Sequence, residues 1–577
     1  MTTRLTALDL AFLGLETQKT PVNVASLQLF QPPAKDRDNF VRNLLATLKT
    51  LPPGPPFNLK LSSTSVVTAP HWVEDDNFDL DYHLRHSALP SPGSMDDLLA
   101  LVSRLHSRVM DRERPLWEFH LIEGLADGRF AIYMKMHHAA IDGMGGIALL
   151  EACLNTDPKA PPRAPWAGIE KTRKKRDRDR SLLGLPDRLR RTLLGQAQMG
   201  LDLGKLLVGH GMKAVGLQSD DSPAPFTAPR TRFNVPVSGA RKFGAVSLSL
   251  TELKALGQAT GATVNDIVLA ICSGAIRDYL KHHRALPRRS LVASVPVSIR
   301  QINRSGNQIT YVSAKLATQR RTAMGRLKDI GRSTRAAKKE VAAVLPSASI
   351  NFAVMAQGLV AVMNRLGASD WVPPPANVVI SNVPGPRNPL YFGGAQLTAG
   401  YPLSVLVDGQ ALNITVMSYV DSVNFGVMAC RDAVPDVERL TEYLTKAFDE
   451  LKQAASALET DAEPKAPARI TRRKASSKKV RSSSSSKTRR SASKKRSSKP
   501  SAAASSPAPS SKKVTKKTSK KTSSKKSASK TSASKKKSAA KKRSRKASSS
   551  RKSPPTAISA DGRKLGTLRQ KTAAKST

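Results

Sequence analysis

The chain has 577 residues, enough for several domains or two large ones, and its 94 Lys and Arg against 44 Asp and Glu give a net charge of +50. That excess is uneven: from Asp461 onward there are 39 basic and 3 acidic residues, leaving 55 basic and 41 acidic for residues 1–460. Three widely separated cysteines, Cys153, Cys272 and Cys430, each inside an apolar run, exclude a disulfide scaffold and any C-x-x-C metal or redox site.

Asp9 and Glu16 interrupt the N-terminus where a secretory segment needs an unbroken apolar stretch, so no signal peptide is expected. Val22 to Phe30 has the β-branched and apolar character of a strand, while Asn39 to Leu51 and Met95 to Met110 place apolar residues at helical spacing. Ser94 and Asp97 are spaced to cap the second helix. Phe130 to Met136 alternates strictly, as a strand of period two does. It runs into His137 and His138, then through Ala139-Ala140-Ile141-Asp142-Gly143-Met144-Gly145-Gly146 to a helix start at Ile147 to Leu154.

From Asp157 to Pro236 the pattern breaks into Pro-rich and basic sequence, read as an inter-domain connection. Within it Leu182, Leu185, Leu189, Leu193 and Leu194 alternate with Arg188, Arg190 and Arg191, which suits either a lipid-surface contact or a helix packed on its own domain with a solvated basic face. A second folded block follows, with strands at Gly244 to Leu250, Leu291 to Val297, Asn377 to Ile380, Ala411 to Tyr419 and Val423 to Met428, and helices at Val264 to Lys281 and Asp436 to Leu458. The most apolar stretch, Ile350 to Met363, is broken by Asn351 and Gln357 and falls short of the roughly 18–20 residues of a membrane span. An intracellular protein, soluble or surface-attached, is the expectation. None of the chain's 4 Trp, 8 Tyr and 14 Phe lies beyond Asp461, so that Lys/Ser/Ala-rich segment cannot bury enough apolar surface to offset its ordering entropy, and a disordered tail is expected. The division is therefore residues 1–156, a connection at 157–236, a second domain at 237–459 and the tail at 460–577.

The histidine pair is the place for chemistry. A strand end displays reactive groups, only one of two successive side chains faces a given cleft, and an imidazole suits general-base work near neutral pH. A packed or hydrogen-bonded strand-end histidine is the competing reading. Gly143 to Ala148 also satisfies G-x-G-x-x-A, but no second strand with an acidic end follows about 20 residues on, as a dinucleotide site requires. The sequence contains no nucleophile elbow, Walker A loop or H-E-x-x-H zinc helix. His282-His283, beside Lys281 and Arg284 with no carboxylate nearby in the sequence, reads as a solvated helix end.

His137-His138-Ala139-Ala140-Ile141-Asp142-Gly143 matches H-H-x-x-x-D-G. Five further segments accompany it in order: Leu5-Thr6-Ala7-Leu8-Asp9 with Leu15-Glu16-Thr17, Arg114-Pro115-Leu116-Trp117-Glu118, Asn265 to Ala270, Val295 to Arg300, and Ser381-Asn382-Val383-Pro384-Gly385-Pro386. Over about residues 1–458 the chain resembles the bacterial wax ester synthase/acyl-CoA:diacylglycerol acyltransferase family. The resemblance implies an α/β (α+β) two-domain, chloramphenicol-acetyltransferase-like fold with a tunnel between the domains. It implies a fatty acyl-CoA donor, a diacylglycerol or long-chain alcohol acceptor, and no cofactor or metal, acyl-CoA being a substrate.

By the same resemblance His138 is the general base, taking the acceptor's hydroxyl proton as it attacks the thioester in direct transfer, and His137 supports it. Asp142 is structural, pairing with a cation such as Arg300, and Gly143 permits a backbone conformation closed to other residues. Asn265 is the candidate for positioning or oxyanion stabilisation, against the plainer reading of a helix cap. Pro115-Leu116-Trp117 shapes apolar walls, and Pro384-Gly385-Pro386 is a turn. The expected location is cytoplasmic, peripheral on the inner membrane or on lipid inclusions. The tail, with its net +36, is expected to bind DNA or another polyanion by counterion release. The alternative is a polyanion- or granule-binding structural protein whose acyltransferase-like body is inactive.

Overall fold

The computed structural model describes residues 3–462 except 69, 142, 168–220, 225, 300–307 and 343–371. Asp142, its expected partner Arg300, the leucine and arginine segment at 182–194, the apolar stretch at 350–363 and nearly all of the basic tail therefore lie outside the described residues.

In chain order the first half holds β1 (Thr3–Arg4), α1 (Ala7–Leu15), β2 (Asn23–Gln31), α2 (Arg37–Lys49), β3 (Leu59–Leu61), β4 (His71–Glu74), α3 (Leu80–His83), β5 (Leu84–Ala88), α4 (Met95–His106), β6 (Trp117–Glu123), β7 (Phe130–His137) and α5 (Gly143–Cys153). The second half holds β8 (Arg241–Ser249), α6 (Leu250–Thr260), α7 (Val264–His282), β9 (Val292–Ile299), β10 (Gln308–Lys315), α8 (Ala323–Ala342), β11 (Val378–Val383), β12 (Tyr391–Phe392), β13 (Ala395–Leu403), β14 (Leu412–Tyr419), β15 (Ser422–Cys430) and α9 (Val437–Ala462). Two mixed six-stranded sheets result, ordered β12-β13-β2-β7-β6-β5 and β10-β9-β11-β14-β15-β8.

The first sheet crosses the linear division of the chain. Strand β13 comes from the second half yet pairs antiparallel with β2, from Gln396 opposite Gln31 to Leu403 opposite Ala25, with a bulge between Leu397 and Ala399. The second half thus completes the first half's sheet. Strand β13 is threaded tightly: a Cβ added at Gly426 would lie 1.9 Å from the Pro402 carbonyl oxygen, so only glycine admits this crossing.

The expected local signals hold where the chemistry is local. Ser94 caps α4 through a reciprocal box with Asp97, and Leu98 and Val102 form its buried stripe. That helix stops at His106, four residues before the expected Met110. The Arg108 carbonyl is taken by the Asn23 side chain at 2.9 Å, and Met110 turns into an apolar cluster with Leu13 and Leu116. Strand β7 alternates as expected, but all eight of its residues are buried, because both faces of the sheet are covered. Cys272 and Cys430 are buried and Cys153 half-buried, all three as free thiols, and burial pushes Cys153 up to about 12. Pro384-Gly385-Pro386 is irregular chain and not the expected turn, the bend following at Arg387-Asn388, and its glycine is required, since a Cβ there would meet the Ser418 carbonyl oxygen at 2.1 Å. No single described helix is long and apolar enough to cross a membrane.

Under α4 the first sheet buries a polar network. The Lys135 side chain is fully enclosed, donating to the Leu105 carbonyl at 3.2 Å and lying 3.4 Å from Glu118, which is 3.1 Å from His120. Burial raises the Glu118 carboxyl, but the His120 hydrogen bond and the charges of Lys135 and Arg85 outweigh it and hold the group at about 2. His83, His106 and His120 are all held below the usual histidine range, first by burial, with His106 at about 3.

The unfolded chain takes up these protons near pH 6.5 and the folded chain does not. Stability is therefore full above about pH 6.5 and falls as pH drops toward each group's lowered folded value, by at most about 1.4 kcal/mol per pH unit for a group. Glu118 adds a second loss, from its unfolded value of 4.5 down to about 2. Urea midpoints at pH 7.5, 6 and 5 should decline in that order. A flat profile would remove the buried neutral histidines from the account.

Candidate active site

The histidine motif begins where β7 ends. Its register against β2 places His137 opposite Asn23 and the Val22 carbonyl within reach of the next residue. His138 donates its backbone N–H to that carbonyl at 2.9 Å, and the His137 N–H goes to Leu116 at 3.1 Å. The chain then turns sharply. His137 Nδ1 accepts the Ala139 N–H at 3.0 Å, so its ring proton sits on Nε2, which lies 3.4 Å from Glu16 Oε1. That is long for a hydrogen bond but close enough for strong attraction in a buried setting.

The two imidazoles meet different surroundings. His137 is fully buried and engaged through both nitrogens, whereas His138 is half-buried and stacked on Phe12, with ring centroids 4.3 Å apart and planes 21° from parallel. Packing around the turn is apolar, with Leu13, Leu61, Met110, Leu116 and Ala139 buried together and Phe12 and Trp72 at their edge. Of Pro115-Leu116-Trp117, the last two are core residues of two different clusters. Leu116 joins this cluster, while Trp117 stacks on His83 at 4.5 Å and on Trp166 at 5.6 Å in the neighbouring one.

Sequence reasoning assigned no role to the residue that organises this corner. Glu16 ends α1 with its side chain only 2% exposed, accepting the Val22 N–H at 3.2 Å through Oε1 and both Nε (3.1 Å) and Nη2 (3.0 Å) of Arg112 through Oε2. Burial pushes its carboxyl up, but the His137 ring, the Val22 N–H and the Arg112 guanidinium outweigh that and hold it below the usual carboxylate range. Glu16 is thus an anion at neutral pH. It acts on both histidines, on His137 through its ring and on His138 through Val22, whose N–H it accepts and whose carbonyl holds the His138 backbone. Helix α1 is itself fixed by a capping box between Thr6 and Asp9, which accounts for the Leu5 to Asp9 motif. A pair separated by 96 positions leaves no local spacing to read.

Other expected site residues fall as follows. Gly143 is the first residue of α5. Asn265 is half-buried in the first turn of α7 and is not its cap. Thr263 holds that place, in a box with Asp266, whose carboxylate also accepts the Thr334 hydroxyl of α8 at 2.6 Å. His282-His283 is also corrected: the fold brings Asp436 to His283, with Nε2 3.2 Å from Oδ2.

A half-buried imidazole against apolar side chains and on a charged, buried support has the chemistry of a general base toward a hydroxyl. The family model described as wax ester synthase/diacylglycerol acyltransferase catalytic domain matches residues 5–268, and its C-terminal companion matches residues 305–452. The chain belongs to the wax ester synthase/diacylglycerol acyltransferase family. It is 41% identical over 458 residues to a probable diacylglycerol O-acyltransferase of Mycobacterium tuberculosis, covering 77% of this chain and 98% of that relative. It is 38% identical over 440 residues to an O-acyltransferase of Acinetobacter baylyi, covering 76% of this chain and 94% of the other. The wax ester synthase/diacylglycerol acyltransferase of Marinobacter aquaeolei matches with a TM-score of 0.62 at 34% identity, over 79% of this chain and all of that one. The expected α/β (α+β) fold class is thereby confirmed. The reading as an inactive structural body gains no support from these relatives. The family models stop at residue 452, short of the basic tail.

Proposed function

We propose that this chain transfers a fatty acyl group from acyl-CoA to diacylglycerol, a long-chain alcohol, or both, with His138 as general base. The observation that carries this reading is the division of labour in the histidine pair: His137 is enclosed and occupied, while His138 stands at the turn, partly open and stacked on Phe12. The acceptor hydroxyl gives its proton to the His138 ring as its oxygen attacks the thioester carbonyl. The tetrahedral intermediate then collapses, the C–S bond breaks, and the imidazolium returns the proton to the CoA thiolate. No acyl-enzyme forms. A well-placed base contributes about 10²–10⁴-fold, and the rest comes from orienting two long substrates and stabilising the oxyanion. Asn265 is assigned the oxyanion or positioning role, and Asp142 and Gly143 shape the loop behind the base. Purified protein with labelled palmitoyl-CoA and either hexadecanol or diacylglycerol should yield labelled ester. Hydrolysis to free palmitate alone would refute the transferase reading.

The insoluble acceptors favour work at the inner membrane or a lipid-inclusion surface in the cytoplasm, and the tail supplies a tether. With 39 basic residues against 3 acidic from Asp461 onward, it binds polyanionic surfaces such as DNA through counterion release. Full-length protein should pellet with DNA or with anionic vesicles at low salt and be released as salt rises, while a chain ending at Glu459 should not pellet. Equal pelleting of the two would sink the tether.

A further inference from the structure

The C-terminal end of α7 and the start of α9 bring together three side chains that the acyl-transfer site does not use. One ligating atom from each of His282, His283 and Asp436 lies within 4.8 Å of the others. We infer that these residues form a zinc-type divalent cation site, with His282, His283 and Asp436 as ligands and water completing a tetrahedron.

Geometry favours a metal over a plain ion pair. Zinc bonds of about 2.0–2.1 Å to nitrogen and oxygen place tetrahedral ligand atoms roughly 3.3–3.4 Å apart. His283 Nε2 and Asp436 Oδ2 already stand 3.2 Å apart. Oδ1, itself 3.3 Å from His283 Nε2, accepts the Tyr279 hydroxyl at 2.5 Å, the kind of outer support that a ligating carboxylate receives in metal sites. Tyr279 also packs against the His283 ring at 4.6 Å, and the His282 and His283 rings meet edge to face at 5.1 Å. His282 is exposed and free to turn its ring inward. The C-terminal end of α7 favours a cation, while the N-terminal end of α9, which Asp436 precedes, opposes it.

Cations also stand at the rim of the site. Arg439 Nε lies 3.5 Å from Asp436 Oδ2, but its side chain is 44% exposed and can swing into water. Lys281 and Arg284 flank the pair in the chain, and Arg232 sits over the Tyr279 ring at 5.6 Å. Occupation would pin the end of α7 opposite Asn265 to the final helix.

Untagged full-length protein, stripped with chelator and dialysed free of it, is titrated with ZnCl2 by calorimetry at pH 7.5, with Co2+ absorption reporting geometry. The expected result is one saturable Zn2+ per chain and a tetrahedral Co2+ spectrum. Affinity should fall by tenfold or more in His282→Ala and Asp436→Asn, and by about 10- to 100-fold in Tyr279→Phe. Because His282 is exposed, its variant keeps the fold whatever becomes of the other two. No saturable binding, or unchanged binding in His282→Ala, would overturn the site.

Discussion

His138→Ala lowers turnover with palmitoyl-CoA and hexadecanol by at least about 10²–10⁴-fold, the contribution of a positioned base. The fold and its thermal midpoint should stay close to wild type, since the ring is only half-buried, stacked on Phe12. The loss belongs in kcat, because the base acts in the transition state and not in holding either substrate. His137→Ala behaves differently. Its ring accepts the Ala139 N–H and faces Glu16 from a fully buried position, so its removal opens a cavity and frees the turn, costing stability as well as rate. Equal turnover in wild type and His138→Ala would remove the base from the mechanism.

Glu16→Gln is the second large effect. The substitution keeps the shape but removes the charge that Arg112 grips with two nitrogens and that His137 faces. Breaking a buried pair by neutralising one partner costs about 3–5 kcal/mol, because the remaining cation stays desolvated and uncompensated. Arg112 is one-fifth exposed, which places the cost toward the lower end of that range. Turnover should fall as well, as His137 and the Val22 backbone that holds His138 lose their common anchor. A double variant, Glu16→Gln with Arg112→Met, separates the two effects. It should recover much of the stability while leaving kcat low, whereas recovery of both would show that Glu16 serves the fold alone.

Local chemistry is what the sequence made legible. The strand ending at His137 announced itself by alternation and α4 by Ser94 and Asp97. Thr263 and Asp266 carry the same capping grammar that placed α4, and reading it would have freed Asn265 from the competing role of cap. Strand β13 gave no such signal, since Gly400 and Pro402 weaken its β character and its partner β2 lies some 370 positions away, as the Thr398 to Leu29 hydrogen bond illustrates. The partners that matter most at the site were equally hidden. Glu16 meets Arg112 across 96 positions and His283 meets Asp436 across 153, and only the tertiary fold makes neighbours of them.

Stopped-flow measurement of CoA release from palmitoyl-CoA, with and without hexadecanol, tests the central claim most directly when wild type and His138→Ala are run side by side. Direct transfer through His138 predicts that wild type releases CoA only when the alcohol is present, one equivalent per ester formed, and that the variant releases almost none. A burst of CoA without acceptor, or equal release by the variant, would contradict it.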